Sequence, residues 1–327
     1  MMERRTFIGA TAAALIVVSL DVWAQQSNQA RRIGWLWLEP PQTAEEIHEK
    51  GAHLRALGWV EGQNLIVERR YSDPGNAHQL KANAEELVRL KVELIVAEGT
   101  VATLAAKKAT SSVPIVVSRS GDPVGTGLVA SLARPGANVT GTSTIVPDLI
   151  QKQVQLLHEL LPAARKVGEL ILPANPLYRA MRNEYEQAYR ALGMQPIFVG
   201  VGKATELEDS IEEAQRQGAQ VLHVVPEPLF YANFPLIVSA AQKRSLPILV
   251  QNEGMLEEGG LLSYAPDEMD LDRKLASFVD KILRGAKPAD LPVQQPTKFK
   301  LLINLKTAKA IGITVPQSLL LRADEVI

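Results

Sequence analysis

Short apolar runs alternate with amphipathic segments along most of this chain. Residues 32–38, 64–69, 92–96 and 113–117 are rich in β-branched and apolar residues and predict strands. Between them, residues 43–57, 76–90 and 100–110 carry apolar positions at helical spacing. Thr43 stands where an N-cap belongs, Glu45 and Glu46 follow in the first turn, and Gly58 closes the segment. A short helix is predicted over 124–132 and an extended segment over 138–143. The second half repeats the alternation: strands over 166–172, 195–199, 219–225 and 247–250, helices over 176–192, 205–216 and 230–243, and an extended segment over 261–264.

The repetition reaches individual residues. Ser112-Val113-Pro114-Ile115-Val116-Val117 and Ser245-Leu246-Pro247-Ile248-Leu249-Val250 lie 133 residues apart, and Ala56-Leu57-Gly58 and Ala191-Leu192-Gly193 lie 135 apart. Two copies of one α/β unit are implied. Val-, Ile- and Leu-rich strands between helices mean parallel sheets covered on both faces. The expected fold class is α/β, with two Rossmann-like lobes joined by three hinge strands. The tail falls outside the repeat: a helix over 267–283, an extended proline-rich stretch over 291–296, a strand over 299–303 and a helix over 305–311. It reads as recrossing between lobes. The expected N-lobe is 32–142 plus 265–292, and the C-lobe 143–264 plus 293–327. The hinge candidates are 140–146, 260–265 and 292–297. Two facing lobes make a cleft, and clefts bind small molecules.

The first 24 residues have a different character. Arg4-Arg5 precede an apolar run over 8–20, and Val22-Trp23-Ala24 offers suitable residues before a cleavage point, as in a secretory signal. The Arg pair followed by Phe7 resembles a twin-arginine signal, with general secretory export the alternative. Residues 25–31 read as a polar tail. The mature chain is expected in the periplasm, as a monomer.

Composition narrows the chemistry. The 327 residues carry a net charge of −1, which gives no long-range field favouring nucleic acid. The absence of cysteine excludes disulfides, thiolate metal sites and a Cys nucleophile. His48, His53, His78, His158 and His223 show no metal-ligand spacing. No cofactor is expected.

In open parallel sheets, ligands lie beyond the carboxyl ends of the strands. The repeat pairs those ends: Trp37-Leu38-Glu39 with Pro173-Ala174-Asn175, Glu98-Gly99-Thr100 with Pro226-Glu227-Pro228, and Ser118 through Asp122 with Gln251-Asn252-Glu253. Polar residues collect there while the strand bodies stay apolar. Gly99-Thr100 opens a helix directly after a strand, where free N–H groups suit a carboxylate; plain capping by Thr100 is the structural alternative. Asp122, Glu227 and Glu253 are candidates to neutralise an ammonium, against a bland role as solvated loop carboxylates. Trp37 and Tyr178 are candidates to sandwich a ring or aliphatic group. Trp35 and Trp37 share a strand face, so at least one of them is expected in the core. Tyr264 lies on a proposed hinge strand and faces either cleft or core. The glycine-rich stretch from Gly121 to Gly127 lacks the lysine and hydroxyl of a phosphate-binding loop, and no catalytic constellation stands out.

Four stretches carry a family resemblance: residues 289–327, residues 121–141 from Gly-Asp-Pro-Val-Gly-Thr-Gly onward, Leu57-Gly-Trp-Val-Glu-Gly-Gln-Asn64, and Ala174-Asn175-Pro176. Together they resemble the tryptophan/tyrosine-type ABC transporter solute-binding family. The resemblance implies a type I periplasmic-binding-protein fold, a solute enclosed by lobe closure, and delivery to a membrane permease with a cytoplasmic ATPase. It also implies Gly99, Thr100 and Asp122 as N-lobe contacts and Asn175, Glu227 and Asn252 as C-lobe contacts. Family ligands include aromatic amino acids. Ser118-Arg119-Ser120 departs from the usual apolar-small run before Gly-Asp-Pro; Arg119 there favours an acidic ligand or faces solvent. A receptor serving a sensory partner is the alternative function, and an enzyme in the cleft is a weaker third.

Overall fold

A computed structural model describes residues 30–144 and 147–327. The signal segment expected over 1–24, most of the tail after it, and residues 145–146 of the first hinge candidate lie outside the described residues.

The first half builds β1 (Arg31–Trp37), α1 (Ala44–Ala56), β2 (Leu65–Tyr71), α2 (Ala77–Arg89), β3 (Leu94–Glu98), α3 (Gly99–Ala109), β4 (Ile115–Ser120) and β5 (Val139–Ser143). Its sheet is parallel, in the order β2-β1-β3-β4-β5. Thr43 and Glu46 form a reciprocal capping box at the start of α1, and Asn76 caps α2.

The second half builds α4 (Pro147–Leu160), β6 (Lys166–Ile171), α5 (Pro176–Ala191), β7 (Gln195–Gly200), α6 (Leu207–Arg216), β8 (Val221–Val224), α7 (Pro228–Ala232), α8 (Phe234–Gln242), β9 (Ile248–Val250), α9 (Glu253–Glu257) and β10 (Leu262–Pro266). After it come α10 (Glu268–Leu283), β11 (Phe299–Ile303), α11 (Leu305–Ala310), α12 (Gln317–Leu320) and β12 (Glu325–Val326). The second sheet runs β12-β11-β10-β9-β8-β6-β7, parallel except where β10 meets β11.

The order β7-β6-β8-β9-β10 reproduces β2-β1-β3-β4-β5 strand for strand. The repeated Ser-x-Pro-Ile-x-Val motif forms β4 in one lobe and β9 in the other. Each lobe has a core on both faces of its sheet. In the first, Leu36, Ile95 and Val117 pack beneath α2 and α3, while Ile33, Val96 and Val116 pack against α10.

The chain changes sheets three times. It leaves β5 for α4, which packs in the second lobe; it leaves β10 for α10, which packs on the first sheet; and it returns through Gln294 to β11. Gln294 bridges Thr142 beside β5 before that return.

Two local expectations change, and one helix is added. Residues 124–132 form turns rather than a helix. The Asp122 carboxylate takes the N–H groups of Val124 and Gly125, and Gly127 turns at a φ of 73°. The segment read as one helix over 230–243 is two, broken around Asn233 ahead of Pro235. The added helix is α4, on which Leu149, Ile150, Val154, Leu157 and Leu160 form a buried stripe.

Candidate ligand cleft

Sheets of this order have a topological switch point between their first and third strands, where neighbouring connections leave in opposite directions. Here the β1/β3 point of one lobe and the β6/β8 point of the other face a common cavity of about 140 Å³. By the space one water needs, that is room for roughly ten water-sized groups, the scale of an amino acid. The lobes touch around it. A Cβ on Gly121 would come within 2.5 Å of two side-chain carbons of Leu177, so this glycine lets the loop after β4 seat against the start of α5.

The C-lobe wall is built on helix α5 and the end of β8. Asn175 caps α5 through Leu177 N–H, and its Nδ2 donates to Glu227 Oε1 at 2.5 Å. Tyr178 Oη donates to the same oxygen at 2.7 Å. Glu227 Oε2 carries none of the described hydrogen bonds. Glu227 is 2% exposed, and burial pushes its pKa up to about 7 against the pull of those two donors. Tyr178, Met181 and Tyr185 fall at i, i+3 and i+7 on α5 and line the cavity together. Beneath them, the buried Glu169 carboxylate meets His223 Nδ1 at 3.0 Å, and His223 Nε2 meets Gln251 Nε2 at 3.0 Å. With Nδ1–H donating to Glu169 and Nε2 accepting from Gln251, one neutral tautomer satisfies both contacts.

The N-lobe wall is different. Gly99, at a φ of 74°, turns the chain straight from β3 into α3, and Glu98 in the cap position makes no side-chain cap. The first N–H groups of α3 therefore meet the cavity without a capping side chain. Thr100 is in the helix rather than its cap; its Oγ1 lies 3.2 Å from Ser120 Oγ and accepts from Gly121 N–H. A register shift after Val117 and a φ of 56° at Arg119 re-aim the end of β4. Arg119 Nη2 donates to Asp272 Oδ1 at 2.6 Å, and Nη1 sits 3.5 Å from Glu98. Burial pushes Glu98 up, but Lys50 and Arg119, with hydrogen bonds from Ser118 and Trp35, together outweigh it and hold the carboxyl below its usual range. Burial, with Glu98 beside it, raises Glu39. Arg119 thus faces neither open solvent nor a waiting anion: two carboxylates of its own lobe hold it.

Of the residues singled out in the sequence, Gly99, Thr100, Asn175, Tyr178 and Glu227 line this cavity together. Six do not. Trp37, 1% exposed, stacks between Trp35 and Tyr71 at 4.9 and 5.0 Å, in the core beneath α1. Ser118 is buried beside Arg119. Asp122 spends its carboxylate on the turn after β4. Asn252 caps α9, donates to Glu268 at 2.8 Å and lines a separate, smaller pocket. Glu253 is exposed on α9. Tyr264 stacks on Phe299 at 5.7 Å against the C-lobe core. The lining also includes Glu39, Glu98, Arg119, Tyr185, Tyr231 and Glu268.

Residues 47–327 match the family described as ABC transporter substrate binding protein. The chain belongs to that family. It is the solute-binding component of an ABC transporter, in a family of receptors rather than enzymes. A domain from Streptococcus pneumonia solved in complex with L-Trp is 28% identical, with a TM-score of 0.85 over 91% of this receptor and 100% of that chain. The tyrosine-binding protein of Clostridioides difficile (strain R20291) is 26% identical over 267 residues, 81% of this receptor and 76% of the relative. A sugar-binding protein of an ABC transporter from Bacillus halodurans, 12% identical, superposes with a TM-score of 0.60 over 88% of this receptor and 100% of that chain, which speaks to fold alone. The fold of this receptor is the type I periplasmic-binding-protein fold.

Proposed function

We propose that this receptor clasps an amino-acid-like solute between its lobes and delivers it to a membrane permease driven by a cytoplasmic ATPase. The observation that carries the reading is Glu227. It is a buried carboxylate with one oxygen committed to Asn175 and Tyr178 and the other without a described bond, beside a cavity whose opposite wall is an uncapped helix N-terminus. An ammonium pairs with the first and a carboxylate with the second. The solute's side chain would lie against Tyr178, Met181 and Tyr185. The relatives named for tyrosine and solved with L-Trp support a ring-bearing solute.

Contacts to both walls at once are what favour the closed arrangement, because a solute shifts lobe closure only by its differential affinity for that state. The reading puts the receptor in the periplasm as a monomer, exported by residues 1–24. Thermal melting in the presence of individual amino acids and small amines tests it. A solute at 100-fold its Kd adds about 2.7 kcal/mol, a rise in Tm readily seen; no response to any of them contradicts the reading.

A further inference from the structure

The charges around the cleft do not balance, and the shortfall has one sign. Glu39, Glu98, Glu227 and Glu268 line the cavity, and Arg119 is the one cation among the described lining residues. Arg119 is already engaged, through Asp272 and Glu98. Once it is assigned, Glu39, Glu227 and Glu268 have no ion-pair partner within 4 Å among the described residues. Lys50 on α1 acts on Glu39 and Glu98 from a distance, but it lines the separate cavity beneath α1 rather than the cleft.

The unpaired acids converge. Tyr231, itself a lining residue, lies within electrostatic reach of Glu39, Glu227 and Glu268 together, with Arg119 the one cation that also reaches it. Glu227 supplies an observation independent of this clustering: it is 2% exposed, lines the cavity, and leaves Oε2 without a described hydrogen bond. Tyr178, Tyr185 and Tyr231 line the cavity as well, and aromatic rings attract organic cations. A neutral zwitterion brings one charge of each sign and leaves the excess in place. A closing cleft strengthens like-charge repulsion as water leaves.

Building on the reading of the cleft as the solute site, we infer that the solute is a net cation of amino-acid size: an amino acid with a cationic side chain, or an amine whose carboxylate is masked. Its ammonium pairs with Glu227, its second positive group or its bare cationic end lies toward Glu39 and Glu268, and any carboxylate it has goes to the N-terminus of α3.

The test compares probes that differ in charge and little in shape. Titration calorimetry of the mature protein at about pH 8 and low ionic strength would set arginine against citrulline and tryptamine, an alkylammonium that stays protonated there, against tryptophan. The inference expects the cation of at least one pair to bind about tenfold or more tighter than its neutral partner. It expects Glu39→Gln to shrink that margin and Glu253→Gln, outside the cleft, to leave it intact. A neutral partner that binds as tightly as its cation in every pair that binds overturns the inference and leaves the cleft reading standing. Binding of glutamate but of neither cation overturns it in favour of an anionic solute. If no probe binds, the inference falls, while the cleft reading stands or falls on the melting response to the wider set of amino acids and amines.

Discussion

The two walls of the cleft descend from one duplicated unit, yet they treat charge in opposite ways. On the N-lobe wall the strand end after the repeated motif carries Arg119, which the local bulge delivers between Glu98 and Asp272. The matching end after β9 carries Gln251 and Asn252, with no cation. The buried acid on that side, Glu227, is left with hydrogen bonds from neutral donors alone. On the N-lobe side the strand end carries its own cation, and the Arg119 pairs with Glu98 and Asp272 contribute to the stability of that lobe, although Glu39 and Glu268 beside them have no such partner among the described residues. The other side holds a charge whose partner has to come from outside. Duplication supplied the frame, and divergence at the strand ends after β4 and β9 gave one lobe a paired cation and left the buried acid of the other without one.

The comparison can be broken most sharply at Glu227. Glu227→Gln keeps an oxygen for Asn175 and Tyr178 but removes the charge. It should weaken binding of an ammonium-bearing solute by about 100-fold, since a hydrogen bond to a charged group contributes about 1.5–3 kcal/mol, while the ligand-free Tm at pH 8 stays or rises. Titration calorimetry and melting curves check both halves. Arg119→Met should do the reverse. It leaves Glu98 and Asp272 without their shared cation, at a cost of about 2 kcal/mol after allowance for their partial exposure, which lowers the ligand-free Tm by several degrees.

The next effect is in pH. Glu227 ionises near pH 7 in the folded receptor against an ordinary value of 4.5. The folded state therefore holds this proton more tightly than the unfolded chain. Its contribution to ligand-free stability is greatest below pH 4.5 and is lost as pH rises toward 7. Binding of a cation runs the other way, weakening as pH falls below 7 by a factor approaching about tenfold per unit. Calorimetry at a series of pH values reads this directly, and the part of the dependence centred near pH 7 should be lost in Glu227→Gln, leaving only what Glu39, also raised by burial, contributes.

A smaller effect concerns closure. Gly121→Ala puts a methyl group against Leu177, whose side chain can yield in part. Affinity should drop by about fivefold without a change in ligand-free Tm, and Leu177→Ala should restore it in the double variant, a coupling that a mutant cycle measures. The smallest effect belongs to Trp37→Phe. Trp37 packs beneath α1 rather than in the cleft, so affinity should stay within about twofold while stability falls by the packing lost, about 1 kcal/mol.

Most of the architecture was legible because it is written twice. A motif that recurs at nearly constant offset fixes equivalent strands, and equivalent strands fix equivalent ends. That logic brought Gly99, Thr100, Asn175 and Glu227 onto facing walls. Tyr178, Met181 and Tyr185 carry a helical period that the sequence displays openly, although only the first was singled out. Trp37 misled because a strand end near the cleft can point to either face of the sheet; the stack with Trp35 and Tyr71 decides for the core. Glu268 and Tyr231 were out of reach for another reason. Glu268 opens α10, which follows a crossing between lobes, and its position depends on packing against a sheet formed far earlier in the chain. Asp122 shows the converse: a carboxylate in a matching motif that the local turn consumes.

The central claim is that Glu227 awaits a positive group from the solute. The most direct measurement is a crystal structure of the receptor with whichever amino acid or amine raises its Tm the most. The account predicts the solute between the lobes, with a protonated nitrogen within hydrogen-bond distance of Glu227 Oε2. A solute bound in the cleft with no nitrogen near Glu227, or bound elsewhere, would contradict it.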